Sequence, residues 1–194
     1  MTKYADQHTL FPVQLHANWR DAQSFSLPEH LRDWLLEPSS LTARLKQHCR
    51  EFRVEVLGQQ VLPCPVDEAT AEVAVDQDVL VREVILYCDQ QPSVFARSLL
   101  PLSSLTGDAQ QLANLGEQPL GQVIFTHPNL VRKRIEVASF DEASTVASLA
   151  KHCQLPVSSP LWGRRSIFML ADKPLIVSEV FLPHAAAYNA KSMN

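Results

Sequence analysis

The sequence predicts an α+β fold: one domain with an antiparallel β-sheet and flanking helices. Three observations carry this. The apolar runs Val79–Tyr87 and Ser93–Pro101 are joined only by a turn around Asp89-Gln90-Gln91-Pro92, and close sequential strands favour antiparallel pairing. A closing hairpin is written in Leu161–Ser166 followed by Lys173–Pro183. Helical repeats fall between the strands without the regular alternation of a parallel sheet. At 194 residues and 46% hydrophobic content, the chain can bury a core without disulfide staples.

The elements follow in order. Residues 1–25 read as an irregular segment. Ser26-Leu27-Pro28-Glu29 starts a helix, with proline and an acid in the first turn, and Leu31, Trp34 and Leu35 repeat at helical spacing until Pro38. Ser39 and Ser40 are N-cap candidates for a second helix through Leu41, Leu45 and Cys49. Phe52, Val54 and Val56 predict a strand that turns at Gly58, and Pro63 and Pro65 mark a loop. After the two central strands, Leu105 to Leu115 predicts a short helix capped by Gly116. Pro119-Leu120-Gly121 opens another turn or helix, and Arg132 to Val137 is a strand candidate. Asp141 to His152 predicts a helix with Val146, Leu149 and Ala150 on one face, and residues 184–194 read as a loose tail.

Several function classes are disfavoured. The net charge of −4 and the lack of a basic block argue against a nucleic-acid partner. No apolar run approaches the ~20 residues that span a bilayer, and the N-terminus lacks the apolar core of a signal peptide, so a cytoplasmic protein is expected. Cys49, Cys64, Cys88 and Cys153 are widely spaced and read as free thiols. His48-Cys49 and His152-Cys153 are poor chelates, and no metal site is expected. Five glycines, with no phosphate-cradling motif, disfavour a nucleotide cofactor.

The candidate site comes from charges in apolar phase. Leu175, Val177, Glu179 and Phe181 share one face of a strand, because side chains alternate. Arg82 shares a face with Leu80, Val84 and Leu86, and Arg97 with Phe95 and Leu99. A charge in such a position is costly unless it is met by a partner. Arginine offers a planar fork for carboxylates, and two forks in one pocket suit a small dianion. The competing reading is a structural Arg–Glu pair, and Glu83 makes the phase of its own strand ambiguous, since it lies with Val81, Ile85 and Tyr87. Arg164-Arg165, beside Trp162, are open to either an anion site or a structural contact, with structure favoured on general grounds.

Leu161-Trp-Gly-Arg-Arg-Ser166, Lys173-Pro-Leu175 and Glu179-Val-Phe-Leu-Pro183 closely resemble the end of chorismate pyruvate-lyases. Asp33–Leu36, Ser40–Thr42, Val81–Leu86, Ala96-Arg97 with Pro101–Ser103, and Leu115-Gly116 with Pro119–Gly121 match that family in the same order. The resemblance implies a lyase that splits chorismate into 4-hydroxybenzoate and pyruvate at the start of ubiquinone synthesis. It also implies no metal or organic cofactor and a buried ligand under flaps; a monomer is expected. It places the ring carboxylate on Arg82 with backbone N–H groups at Leu41 and Leu120. Glu179 would meet the 4-hydroxyl, and Arg97 the carboxylate of the departing enolpyruvyl group. Arg97 and Glu179 are thus the expected catalytic residues. A stretch near Ser139 to Ser159 is extra beside compact members and reads as a surface helix, a lid extension or a partner site. The alternative function is a non-catalytic effector-sensing domain of the same fold, binding a small aromatic acid.

Overall fold

The computed structural model describes residues 10–189. Six strands, β1 (Phe52–Pro63), β2 (Asp78–Cys88), β3 (Gln91–Pro101), β4 (Leu130–Phe140), β5 (Leu161–Leu170) and β6 (Lys173–Phe181), form one antiparallel sheet in the order β1-β2-β3-β6-β5-β4. Four helices join it: α1 (Glu29–Leu35), α2 (Leu41–Gln47), α3 (Leu120–Ile124) and α4 (Thr145–His152). Two hairpin turns set the pairing. Asp89 and Gln90 take φ of 49° and 65°, and Ala171 and Asp172 take 47° and 63°. Paired left-handed residues of this kind match the twist of the strands they join.

Both faces of the sheet are buried. The front face is covered by α1, α2, α3 and a 3-10 segment, Gly107–Asn114. Trp34, Leu35, Leu41 and Leu45 pack there on Val84, Val94 and Phe181, and Leu112, Leu120 and Ile124 on Leu80, Phe168 and Leu175. The rear face is covered by the segment after Leu10, the loop after Cys64, and α4. Val13, Leu15, Val146 and Leu149 pack there on Ile85, Phe95, Phe140 and Val180. Ser40 and Ser144 cap α2 and α4, their hydroxyls accepting from the backbone N–H of Ala43 and Ala147.

Three expectations change, and the alternatives for the stretch near Ser139 to Ser159 narrow. Gly58 does not end its strand; β1 runs through it with a register shift between Val56 and Gly58. Glycine is needed there because a Cβ would lie 2.2 Å from the Phe11 ring. The helix expected over Leu105–Leu115 is 3-10, followed by Gly116 at φ +54°. The extra stretch near Ser139 to Ser159 holds α4, which lies on the rear face, away from any lid over the front. The tail is packed as far as it is described: Ala185 and Ala187 are buried, and the Tyr188 hydroxyl donates to Phe181 O and accepts from Trp162 N. Residues 1–9 and 190–194 lie outside the described residues. No helix among the described residues is long and apolar enough to cross a membrane.

Candidate active site

On the front face, strand register sets out the site row by row. Arg82 of β2 lies opposite Ser98 of β3, which pairs with Val177 of β6 and through it with Ser166 of β5. One step along, Ala96 pairs with Glu179, and Glu179 with Arg164. The small side chains of Ala96 and Ser98 therefore separate Arg82 from Glu179 and leave a hollow in the floor. Two strand spacings and one two-residue step put the Cα atoms of Arg82 and Glu179 roughly 12 Å apart.

Arg82 is 2% exposed. Its Nη2 donates to the carbonyls of Gly116 (2.8 Å) and Gln118 (3.2 Å), and its Nε has no partner. Burial without a facing carboxylate pushes its pKa down to about 10, so it stays charged at neutral pH. Arg164 donates from Nε to Glu179 Oε2 at 2.7 Å and from Nη1 to Glu37 O at 2.9 Å. Glu179 Oε1 takes no hydrogen bond from the described residues.

A third guanidinium, Arg132 of β4, was not picked out from the sequence. Its Nη1 donates to the carbonyls of Glu37 (3.0 Å) and Pro38 (2.9 Å), and its Nε is buried without a partner. It lies over the Phe168 ring at 4.8 Å. Burial first, then the neighbouring Arg164, pushes its pKa down to about 10. The Glu37 carboxylate turns away to Arg44 and Ser39. Arg82, Arg132 and Arg164 against Glu179 leave this face two positive charges in excess. Five buried side-chain polar atoms lack partners among the described residues, and three of them, Arg82 Nε, Arg132 Nε and Ser166 Oγ, lie here. Unsatisfied buried donors concentrated in one place mark a position where a ligand can complete them.

The roof is α2 and α3. Leu41 and Leu120 are their first residues, so their N–H groups have no intrahelical acceptor. Beneath the roof, a cavity of about 20 Å³ is lined by Leu41, Leu120, Arg132, Arg164, Phe168 and Glu179 among others. Arg82 is outside that lining, under residues 116–118. Above the roof, a groove of about 280 Å³ shares Thr42, Gly121 and Phe125 with the inner cavity. The seam between α2 and α3 divides the two. A Cβ on Gly121 would stand 3.2 Å from Ser40 Oγ and 3.4 Å from Thr42 Oγ1, so this glycine permits the close approach.

Arg97 is not in the site, which corrects the expectation for it. It is on the rear face, 1% exposed, with Nε on Glu68 (2.8 Å) and Nη1 on Glu83 (2.6 Å). Glu83 also accepts the N–H groups of Val13 and Gln14. The cause is one extra residue. The β2–β3 pairs begin Cys88↔Gln91 and Tyr87↔Pro92, then continue Leu86↔Val94, leaving Ser93 as a bulge. Without it, Arg97 would fall opposite Arg82; with it, Arg97 meets Glu83. A second bulge works in reverse. The β4–β5 register shifts between Arg132 and Arg134, which puts Arg132 beside Phe168 on the front face while Arg134 pairs with Glu72 outside. Arg164 and Arg165 divide as neighbours on a strand must: Arg164 joins the site, and Arg165 turns to Glu136 on the rear, at 5.2 Å from the Trp19 ring.

Residues 13–192 match the family described as chorismate lyase. A probable chorismate pyruvate-lyase of Psychromonas ingrahamii is 40% identical over 181 residues, covering 93% of this chain and 97% of that one. One of Pseudoalteromonas translucida is 42% identical over 179 residues, covering 92% and 98%. Among solved structures, the C-terminal domain of the histidine utilization repressor of Pseudomonas syringae pv. tomato has a TM-score of 0.55 at 12% identity, covering 74% of this chain and 99% of that one. The effector domain of PhnF from Mycobacterium smegmatis has 0.55 at 17%, covering 75% and 89%. At such identities these structures share the fold alone.

Proposed function

This chain belongs to the chorismate lyase family, and from that premise we propose that it eliminates pyruvate from chorismate to give 4-hydroxybenzoate, the entry step to ubiquinone. The observation that carries the reading is the excess of two positive charges on the buried front face, with guanidinium donors left unpaired. That is the complement of a dianion.

Arg82 takes the ring carboxylate, helped by the N–H groups of Leu41 and Leu120. Glu179, held by Arg164 through one oxygen, takes the 4-hydroxyl with the other. Strand side chains stand roughly perpendicular to the sheet, so Arg82 and Glu179 are spaced to hydrogen-bond the two ends of one six-membered ring once the roof lifts. Ala96 and Ser98 form its floor.

In the reaction, the bond between ring C3 and the ether oxygen breaks and the C4 proton leaves as the ring becomes aromatic. The departing enolpyruvate takes a proton on its methylene carbon and becomes pyruvate. Aromaticity drives the step, so the protein's tasks are to hold the reactive conformer and to stabilise charge on the leaving oxygen. Arg164 fixes Glu179 as an oriented acceptor for the hydroxyl. A cavity of about 20 Å³ is far below the ~300 Å³ at which ligand pockets begin. The roof must therefore lift to admit chorismate, and its return makes product release the slow step.

The test is to mix the protein with chorismate in the presence of a chelator and resolve the products. Equimolar 4-hydroxybenzoate and pyruvate support the reading. Tight binding of 4-hydroxybenzoate without turnover would replace it with the effector-sensing alternative.

A further inference from the structure

With Arg97 on the rear face, the front face must meet the enolpyruvyl carboxylate in some other way, and we propose that Arg132 binds it. The inference rests on the chorismate reading above. On chorismate the enolpyruvyl ether is at ring C3, next to the hydroxyl at C4. If Glu179 takes the hydroxyl, the side-chain carboxylate falls beside Glu179, on one flank or the other. On the β3 flank of Glu179 the front face offers Ala96 and Ser98, which carry no charge. On the β5 and β4 flank it offers Arg164 and Arg132, both lining the cavity.

Their donors decide between the two. Arg164 directs Nε to Glu179 and Nη1 to the carbonyls of Leu35 and Glu37. Arg132 directs only Nη1 into strong contacts, with Glu37 and Pro38. Its Nη2 has a single long contact of 3.5 Å to Ser39 O, and its Nε has none. The Nε–Nη2 edge is one of the two edges of a guanidinium that take a carboxylate with two parallel hydrogen bonds. Phe168 and Phe125, with rings 4.8 and 5.4 Å from the guanidinium carbon, hold the plane of the group. Ser166 Oγ, buried and unpartnered on the floor between Arg164 and Phe168, adds a donor nearby. Arg132 thereby separates substrate from product: chorismate reaches it, and 4-hydroxybenzoate does not.

The test compares Arg132→Met and Arg132→Lys with the unaltered protein by calorimetry, using two ligands. One is 4-hydroxybenzoate. The other is the stable dianion 3-(carboxymethoxy)-4-hydroxybenzoate, which carries a carboxylate where chorismate carries enolpyruvate. Arg132→Met should weaken the dianion roughly 10- to 100-fold, the loss expected for hydrogen bonds to a charged group, and leave 4-hydroxybenzoate within about threefold. Arg132→Lys should recover part of the loss. For chorismate, kcat/KM should fall in parallel with dianion affinity. Equal weakening of both ligands, or unchanged dianion affinity, would overturn the assignment. A cooperative melting transition near the wild-type Tm, measured without ligand, shows that each variant is folded before its affinities are compared. A wild-type protein that binds both ligands but makes no pyruvate would overturn the lyase reading and leave the Arg132 contact to be judged by the dianion alone.

Discussion

Arg82 and Arg97 are both buried, both on central strands and both in apolar phase, yet their surroundings give them opposite roles. Arg97 is neutralised by Glu68 and Glu83; Arg82 faces only carbonyls. Removing one member of a buried charge network leaves its partners uncompensated and costs about 3–5 kcal/mol. Arg97→Met should therefore lower the unfolding free energy measured by urea titration by that amount and leave the folded fraction binding 4-hydroxybenzoate with unchanged affinity. Arg82→Met removes a cation that burial already disfavours, so stability should stay within about 1 kcal/mol while ligand affinity collapses. Full stability in Arg97→Met would refute the structural role. Alternation puts Arg82 and Glu179 in apolar phase, and both lie on the front face with their apolar neighbours, because the extra residues of the β1–β2 and β2–β3 ladders fall on β1 and β3 and leave β2 itself continuous. It also raised the Arg–Glu pair as a competing reading, and for Arg97 that reading is the one the structure bears out.

At the scale of elements, Arg97 and Arg132 owe the faces they occupy to irregularities in the ladder. Ser93 moves Arg97 to the rear and the shift at Lys133 brings Arg132 to the front. A period-two argument has no means of anticipating an inserted residue. The β5–β6 hairpin has no such insertion, and there Glu179 shares the face of Leu175, Val177 and Phe181 as alternation predicts. The roof seam is set by Gly121. Gly121→Val should force α2 from α3, with strain of about 1–2 kcal/mol in the closed state, and raise the dissociation rate of 4-hydroxybenzoate roughly tenfold in stopped-flow experiments. An unchanged rate would place the exit elsewhere. On the outer edge, Glu72 ties the loop after Cys64 to β4 through Arg134 and Lys133. The hydrogen bond from Arg134 holds its pKa down at about 2, from 4.5. A depressed carboxylate stabilises the fold above its unfolded value and loses that contribution as pH falls through the folded one. Glu72→Gln should thus cost ~1 kcal/mol at pH 7, since Arg134 is partly exposed, with the gap narrowing below about pH 4.5. A gap that stays constant down to pH 3 would exclude the ion pair as its source.

For the molecule as a whole, an antiparallel α+β domain was legible because turn chemistry and strand spacing are local signals, as at Asp89-Gln90 and Ala171-Asp172. That both faces of the sheet are buried was not legible: α4 and the segment through Val13 and Leu15 cover the rear from distant parts of the chain. With two buried faces, an apolar phase says that a charge is interior and leaves open which interior. The two interiors differ in charge. The front holds three arginines against one glutamate, whereas the rear holds Arg97 and Arg165 against Glu68, Glu83 and Glu136. Only the front attracts an anion, and binding there must stabilise the entire cooperative unit. At a 4-hydroxybenzoate concentration of 100 times Kd, linkage adds about 2.7 kcal/mol, which for a chain of this size raises Tm by roughly 5–10 °C. The Arg97→Met variant should start from a lower Tm and show the same rise, whereas Arg82→Met should start near the wild-type value and show almost none. Measured by calorimetry at one ligand excess, a loss of the rise in Arg97→Met with retention in Arg82→Met would place the anion site on the rear face.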